Sequence, residues 1–298
     1  MSDAVTSTRI IDAEFLRKLE HLALVSKRTQ VGVARGERKS KRRGASVEFA
    51  DFRDYVQGDD PRHVDWNIVA RLNSIYLKLF HEQEDLTLHL LIDASKSMAF
   101  GKPAKIDFAC KIAGALGYVA LAGYDRVCAE AFSGSNTLRL QPCRGKPASR
   151  KLFSFLETIQ AEGTTRLEQS CKTYALRNRA RGVAVLISDF LDPEGFEGAL
   201  RRLTMTGSDM YVVHLLARDE IEPPISGDLR LIDSETQAFA EISMSHALLK
   251  KYRKNLDGFC ITLKDACTAR GIGYIPATND MPFEKLTLDF FRQRGVLR

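Results

Sequence analysis

Asp93, Ser95 and Ser97 stand at two-residue spacing at the end of an apolar run that begins near Leu86. If that run is a buried strand, one carboxylate and two hydroxyls leave its tip together on one tight loop. Such a trio can converge on a hard cation such as Mg²⁺, which takes oxygen ligands in near-octahedral geometry and readily keeps waters. With so few charged ligands the ion stays electrophilic and coordinatively open, and an acidic side chain from another molecule can fill the vacancy. The alternative is that the three side chains only cap backbone amides of their own loop, as Asp and Ser commonly do.

Two other stretches are placed to meet this loop. Glu162, Gly163, Thr164 and Thr165 precede a helical pattern, and Ser188 and Asp189 close the apolar run Val183 to Ile187. A hydroxyl from the first and a carboxylate from the second would complete a site with Asp93, Ser95 and Ser97. Lys96 inside the loop and Arg166 beside Thr164 bring positive charge that opposes a divalent cation.

The elements that must position these groups follow from periodicity. Ile10 to Val25 has helical spacing (Ile11, Phe15, Leu19, Leu22), with Asp12 as cap. Ala45 to Phe80 mixes short β-like pieces, Ser46 to Phe52 and Ile75 to Phe80, around a turn at Gly58 to Pro61, which reads as a small antiparallel appendage. From Asp85 strands and helices alternate: strands over 86–92, 126–132, 183–188 and 211–216, and helices over 104–122, 146–159, 166–178 and 193–204. A long helix over 243–270, a short strand near 273–275 and a last helix over 281–294 complete the chain. Runs such as Val183 to Ile187 are nearly continuously apolar, as in strands covered on both faces. The expected fold class is α/β: a doubly wound, mostly parallel sheet of Rossmann-like type with an N-terminal β-containing appendage and C-terminal helices. The boundary falls between 1–84 and 85–298. Ligands of such sheets bind beyond the carboxyl ends of strands, where Asp93 stands.

The chain has 298 residues, 44% of them apolar, enough for a full-sized core. Met1 to Ile11 holds no apolar run, so neither a signal peptide nor a membrane span is expected there, and the expected location is the cytoplasm. The six cysteines (Cys110, Cys128, Cys143, Cys171, Cys260, Cys267) form no C-x-x-C pair and read as buried thiols. His89 and His214 lie inside strand-like runs and read as core or edge residues. Lys27 to Arg53 carries nine cations against three acids, an excess equal to the whole chain's +6. That segment is either a solvated loop or a polyanion-binding arm, and it lacks stacking aromatics and any nucleic-acid fold signature.

Enzyme signatures are sparse. No G-x-x-x-x-G-K-[ST] loop, no G-x-S-x-G elbow and no Cys and His pair suggested by spacing is present, and the position two after Asp93, where aspartyl phosphoryl-transfer enzymes carry a second carboxylate, is Ser95. The reading is a non-enzymatic chain. A Mg²⁺-dependent hydrolase, with an open ion activating water, is the remaining catalytic alternative.

With Asp93, Ser95, Ser97, Thr164 and the later Asp189, the chain resembles the von Willebrand factor A domain and its metal-ion-dependent adhesion site, in which D-x-S-x-S, a loop threonine and a later aspartate hold the cation. The resemblance implies that these five residues bind Mg²⁺ or Mn²⁺. Phe190 departs from it, standing where glycine is common. The appendage narrows the likeness. Val47–Glu48–Phe49, Arg53–Asp54–Tyr55, Gly58–Asp59–Asp60–Pro61–Arg62, Asp65–Trp66, Ala70–Arg71, Lys78 and Phe80 resemble the signature of the bacterial family called domain of unknown function 58. Members are usually encoded beside MoxR-type AAA+ ATPases, which implies such an ATPase or its client as a cytoplasmic partner in protein maturation or complex assembly.

Within that signature, Arg53, Asp59, Asp60, Arg62, Asp65, Trp66 and Arg71 allow two readings. They form either a partner-recognition face or an ion-pair knot that pins the appendage, with Trp66 as its buried anchor, and the knot is the expectation.

Overall fold

The structure is a computed structural model describing residues 12–19, 22, 24, 48–56, 64–72, 75–81, 86–134, 136–178, 182–224, 227–232 and 239–283. In chain order the elements are α1 (Ala13–Leu19), β1 (Glu48–Asp54), α2 (Trp66–Leu72), β2 (Tyr76–His81), β3 (Thr87–Asp93), α3 (Lys105–Ala122), β4 (Arg126–Ser133), β5 (Asn136–Arg144) and α4 (Ser149–Glu157). They continue with α5 (Leu167–Arg177), β6 (Val183–Ser188), α6 (Glu197–Thr204), β7 (Asp209–Leu216), α7 (Arg218–Ile221), β8 (Gly227–Ile232), β9 (Phe239–Met244), α8 (His246–Thr268) and β10 (Gly273–Thr278).

Six strands form one sheet in the order β10–β7–β6–β3–β4–β5, parallel throughout except for the antiparallel edge pair β4–β5. Alternation of side chains sends successive residues to opposite faces. Leu88, Leu90, Ile92, Val183, Val185, Ile187, Val213 and Leu215 pack with α1, α3 and α4, whereas Leu91, Ala184, Leu186, Met210 and Val212 pack with α5, α6 and α8. Both faces are therefore dry, which is why these strands read as unbroken apolar runs. Helix α3 is buried along nearly its whole length, and Gly117 is what lets α4 approach it: a Cβ there would stand 2.3 Å from Leu152 Cδ2.

The expected doubly wound sheet is present, with differences of detail. The chain divides into one compact unit of Met1–Gln30 with Leu86–Arg298 and a second of Val31–Asp85. The first helix thus belongs to the α/β unit and not to the appendage, because Phe15, Leu16 and Leu19 are buried in the core that α3 also lines. Strand β5 and the hairpin β8–β9, antiparallel from Gly227↔Met244 to Ile232↔Phe239, are additional to the elements read from sequence. The six cysteines are all free, and His89 and His214 are buried in β3 and β7. Among the described residues no helix is long and apolar enough to cross a membrane. The helix expected over 281–294 lies almost wholly outside the described residues, as does most of the basic segment Lys27 to Arg53.

The second unit pairs β1 with β2 in antiparallel register from Glu48↔His81 to Asp54↔Tyr76. Helix α2 follows a bridge between Val64 and Leu77. Trp66 opens this helix with 67% of its surface exposed, so it is not the buried anchor expected from the sequence. Helix α2 turns that indole away from the unit's own core and buries Asp65 instead, whose carbonyl accepts from the amides of Ile68 and Val69. Arg53 is half-buried and Arg71 exposed, while Asp59, Asp60 and Arg62 lie outside the described residues.

Candidate functional site

The strand order reverses beside β3: the chain runs from β3 outward through β4 and β5 and then returns to β6 on the other flank. The loops after β3 and β6 therefore diverge and leave a crevice between them, the usual ligand position in an open α/β sheet. Asp93 closes β3 and Ser188 closes β6, with Asp189 following it. All three are completely buried, as is Ser95.

Asp93 is held from two strands. Its Oδ1 accepts from the Ser95 amide at 2.9 Å, and its Oδ2 accepts from Ser188 Oγ at 2.6 Å. The Ser95 hydroxyl is hydrogen-bonded to Ser97 Oγ at 3.0 Å. Two oxygens at that separation match neighbouring vertices of an octahedron with bonds of about 2.1 Å, the geometry of Mg²⁺. Burial, and next the Asp189 carboxylate, push the Asp93 carboxyl up to about 7 against the hydrogen bonds from Ser188 and Ser95. Among the described residues no cation is bonded to this carboxylate, a shortage that a bound ion would relieve.

Asp189 is differently placed. Lys105, the first residue of α3, donates from Nζ to Asp189 Oδ2 at 2.7 Å and to Glu220 Oε1 at 2.5 Å. The side chains of Lys105 and Asp189 are wholly buried. Burial alone would lower the Lys105 ammonium's pKa, but the two carboxylates outweigh it and hold it above its ordinary value. Asp189 Oδ1 accepts from the Leu191 amide at 3.1 Å, and the intervening Phe190 takes a left-handed backbone (φ 59°), steadied by its amide donating to Ser188 Oγ at 2.9 Å. His214 packs edge-on against Phe190, and burial lowers its pKa to about 4, so the imidazole is neutral. With all of its acids ionised, the cluster of Asp93, Asp189, Glu220 and Lys105 carries two formal negative charges in excess.

Thr164 reaches the edge from a third loop. The backbone joins this loop to the first: the Glu162 amide donates to the Ala94 carbonyl at 2.8 Å, and the Lys96 amide to the Gly163 carbonyl at 3.0 Å. Gly163 has positive φ, and a Cβ there would meet Ser133 Oγ at 2.9 Å. The Thr164 carbonyl accepts from Gly134 at 2.7 Å. Its side chain is exposed and borders a depression of about 410 Å³ lined by Ser133, Gly134, Asn136, Glu162, Gly163, Thr164 and Arg166. Arg166 and Lys96 point to solvent, where water screens them, so the cation that matters electrostatically is the buried Lys105.

The structure thus brings Asp93, Ser95 and Ser97 into one cradle, puts Asp189 on its far wall against a lysine, and sets Thr164 at its rim. Among the described residues no three His, Cys, Asp or Glu side chains are grouped to hold a metal ion, so a cation here depends on hydroxyl oxygens, a donor set that suits Mg²⁺ or Mn²⁺. Sequence reasoning missed Lys105, Glu220 and the bond from Ser188. The one available signal was a lysine opening a helix whose only other charged residues are Asp107 and Lys111.

Uncharacterised proteins of Mycobacterium tuberculosis and Mycobacterium bovis are each 29% identical to the chain over 244 residues, covering 80% of this chain and 77% of the relative. Among solved structures, BatB from Bacteroides thetaiotaomicron aligns over 70% of this chain and 98% of its own at 14% identity (TM-score 0.43). The VWA domain of SpRpn10 aligns over 69% of this chain and 94% of its own at 12% identity (TM-score 0.40). Residues 51–257, more than half of the chain, match the family described as protein of unknown function DUF58, and the chain belongs to that family.

Proposed function

We propose that the protein is a non-enzymatic interaction module whose Asp93 edge binds a partner through a divalent cation. Asp93, Ser95 and Ser97 would hold Mg²⁺ or Mn²⁺, with Thr164 and Asp189 as the further positions that the sequence resemblance implies. When bound, the ion supplies an open, electrophilic coordination position. The chain's own residues do the rest: Ser188 fixes Asp93, Lys105 neutralises Asp189, and the Thr164 loop shapes the rim against which an acidic side chain of the partner would dock. Such a contact is strong only when its geometry is met, so it contributes specificity as well as affinity. The carrying observation is the buried Asp93 carboxylate at the head of a loop whose Ser95 and Ser97 hydroxyls lie 3.0 Å apart.

By family resemblance the partner is a MoxR-type AAA+ ATPase or one of its clients, and the setting is cytoplasmic protein maturation or complex assembly. The test is capture of partners from native lysate on tagged wild-type protein, with Mg²⁺, with chelator, and with Asp93→Ala. An AAA+ ATPase retained only by wild type in Mg²⁺ supports the reading. Partners indifferent to metal and to substitution defeat it and move the interface elsewhere. Phosphatase or nuclease turnover that is lost in Asp93→Ala would establish the hydrolase alternative in its place.

A further inference from the structure

We infer that Lys105 is a tethered cation that withdraws Asp189 from the ligand set, so that the proposed ion rests on Asp93, Ser95 and Ser97 without it; this rests on the metal-assisted reading above.

Two observations divide the site into unequal halves. Asp189 already has a donor on each oxygen, the Lys105 ammonium on Oδ2 and the Leu191 amide on Oδ1. Asp93 accepts from the Ser95 amide and the Ser188 hydroxyl, and no cation among the described residues is bonded to it. A buried ion pair is disrupted only at considerable cost, since either partner left alone is an uncompensated charge.

The ammonium is also held in place. Glu220, its second acceptor, is fixed through Oε2 by the Ala217 amide at 2.7 Å. Asn279 ties the two segments that carry the pair: its Oδ1 accepts from the Arg218 amide at 2.9 Å, and its Nδ2 donates to the Pro103 carbonyl at 2.6 Å. Pro103 lies two residues before Lys105, and Arg218 two before Glu220. The segments that carry the lysine and its second acceptor are therefore tied together, and Asp189 is released only when the buried ammonium gives up its bonds. A fixed positive charge beside the cradle opposes a divalent ion. Binding of the ion by this chain alone is weakened, and a carboxylate arriving from the partner restores what the lysine withholds.

The test is titration of the intact chain with Mg²⁺ by calorimetry, repeated with Mn²⁺ by paramagnetic resonance. Two double substitutions leave the net charge of the cluster unchanged. Lys105→Met with Asp189→Asn deletes the pair, and affinity is expected within about threefold of wild type. Lys105→Met with Glu220→Gln removes the ammonium but leaves Asp189 free to ligate, and affinity is expected to rise at least about tenfold. Loss of binding in the first variant to the level of Asp93→Ala, or no gain in the second, would overturn the inference. If the second variant does not fold, the first decides alone. Asp93→Ala reads the metal site itself: binding undiminished there sinks the metal reading whatever Lys105 does. A wild type that binds no ion beside a Lys105→Met, Glu220→Gln protein that does would sink the native metal site and support the role of Lys105. No binding by any protein overturns both.

Discussion

Ser188 Oγ donates to Asp93 Oδ2 at 2.6 Å while accepting from the Phe190 amide at 2.9 Å, so one hydroxyl joins the ends of β3 and β6 and holds the turn that carries Asp189. Neither residue can be shifted without the other.

Ser188→Ala removes a donor from a fully buried carboxyl and leaves the Phe190 amide without its acceptor. The expected cost is about 1–3 kcal/mol, read from chemical denaturation in chelator. Wild-type stability in this variant would show that water replaces the hydroxyl at no penalty.

Asp93 sets a pH dependence of definite sign. Its folded pKa, about 7, lies above the ordinary value of 3.8, so its stabilising contribution is fully present below about pH 4 and is lost as pH rises through 7. Metal-free wild type should therefore lose stability relative to Asp93→Asn between pH 4 and 7. Taking the difference between the two proteins cancels the opposite trend from His89 and His214, both lowered to about 4 by burial. A difference that is flat with pH would mean that Asp93 is not neutral in the folded, ion-free protein.

Lys105→Ala strands Asp189 and Glu220 without their cation. Breaking a buried pair from one side costs about 3–5 kcal/mol, which urea denaturation in chelator would register. Loss of less than about 1 kcal/mol would indicate that the ammonium is far better hydrated than its complete burial implies.

Trp66→Ala in the appendage unit should change stability by no more than about 0.5 kcal/mol, because two-thirds of the indole faces solvent. Differential scanning calorimetry checks this directly. Reduced partner capture with an unchanged melting curve would assign the exposed indole to an interface.

Gly117→Ala should destabilise by about 1–3 kcal/mol through overpacking, since Leu152 is fully buried where the new methyl would go. An accompanying Leu152→Val should recover part of the loss.

The central strands were legible because their environment is uniform: a strand covered on both faces needs apolar side chains at every position, and β3, β6 and β7 supply them. Strand β5 was not, since it lies at the sheet edge with most of its side chains exposed and carries Arg139, Gln141 and Arg144 among its apolar residues. Trp66 misled because size and hydrophobicity suggest burial, whereas the orientation of α2 decides it. At the site, spacing identified Asp93, Ser95 and Ser97 because the three share one loop. Lys105 lies twelve residues from Asp93 in sequence and Glu220 far beyond, so their convergence depends on where the reversal of strand order puts α3 and α7, which no local pattern encodes.

The backbone bonds between the loops after β3, β4 and α4 carry a kinetic consequence. The amides of Lys96, Gly134 and Glu162 each donate to a carbonyl of another loop in the group, so none of the three loops can part from its neighbours alone. Their amide protons should exchange with solvent at a common rate, set by one shared opening event, and a molecule seated on this edge should slow all three together.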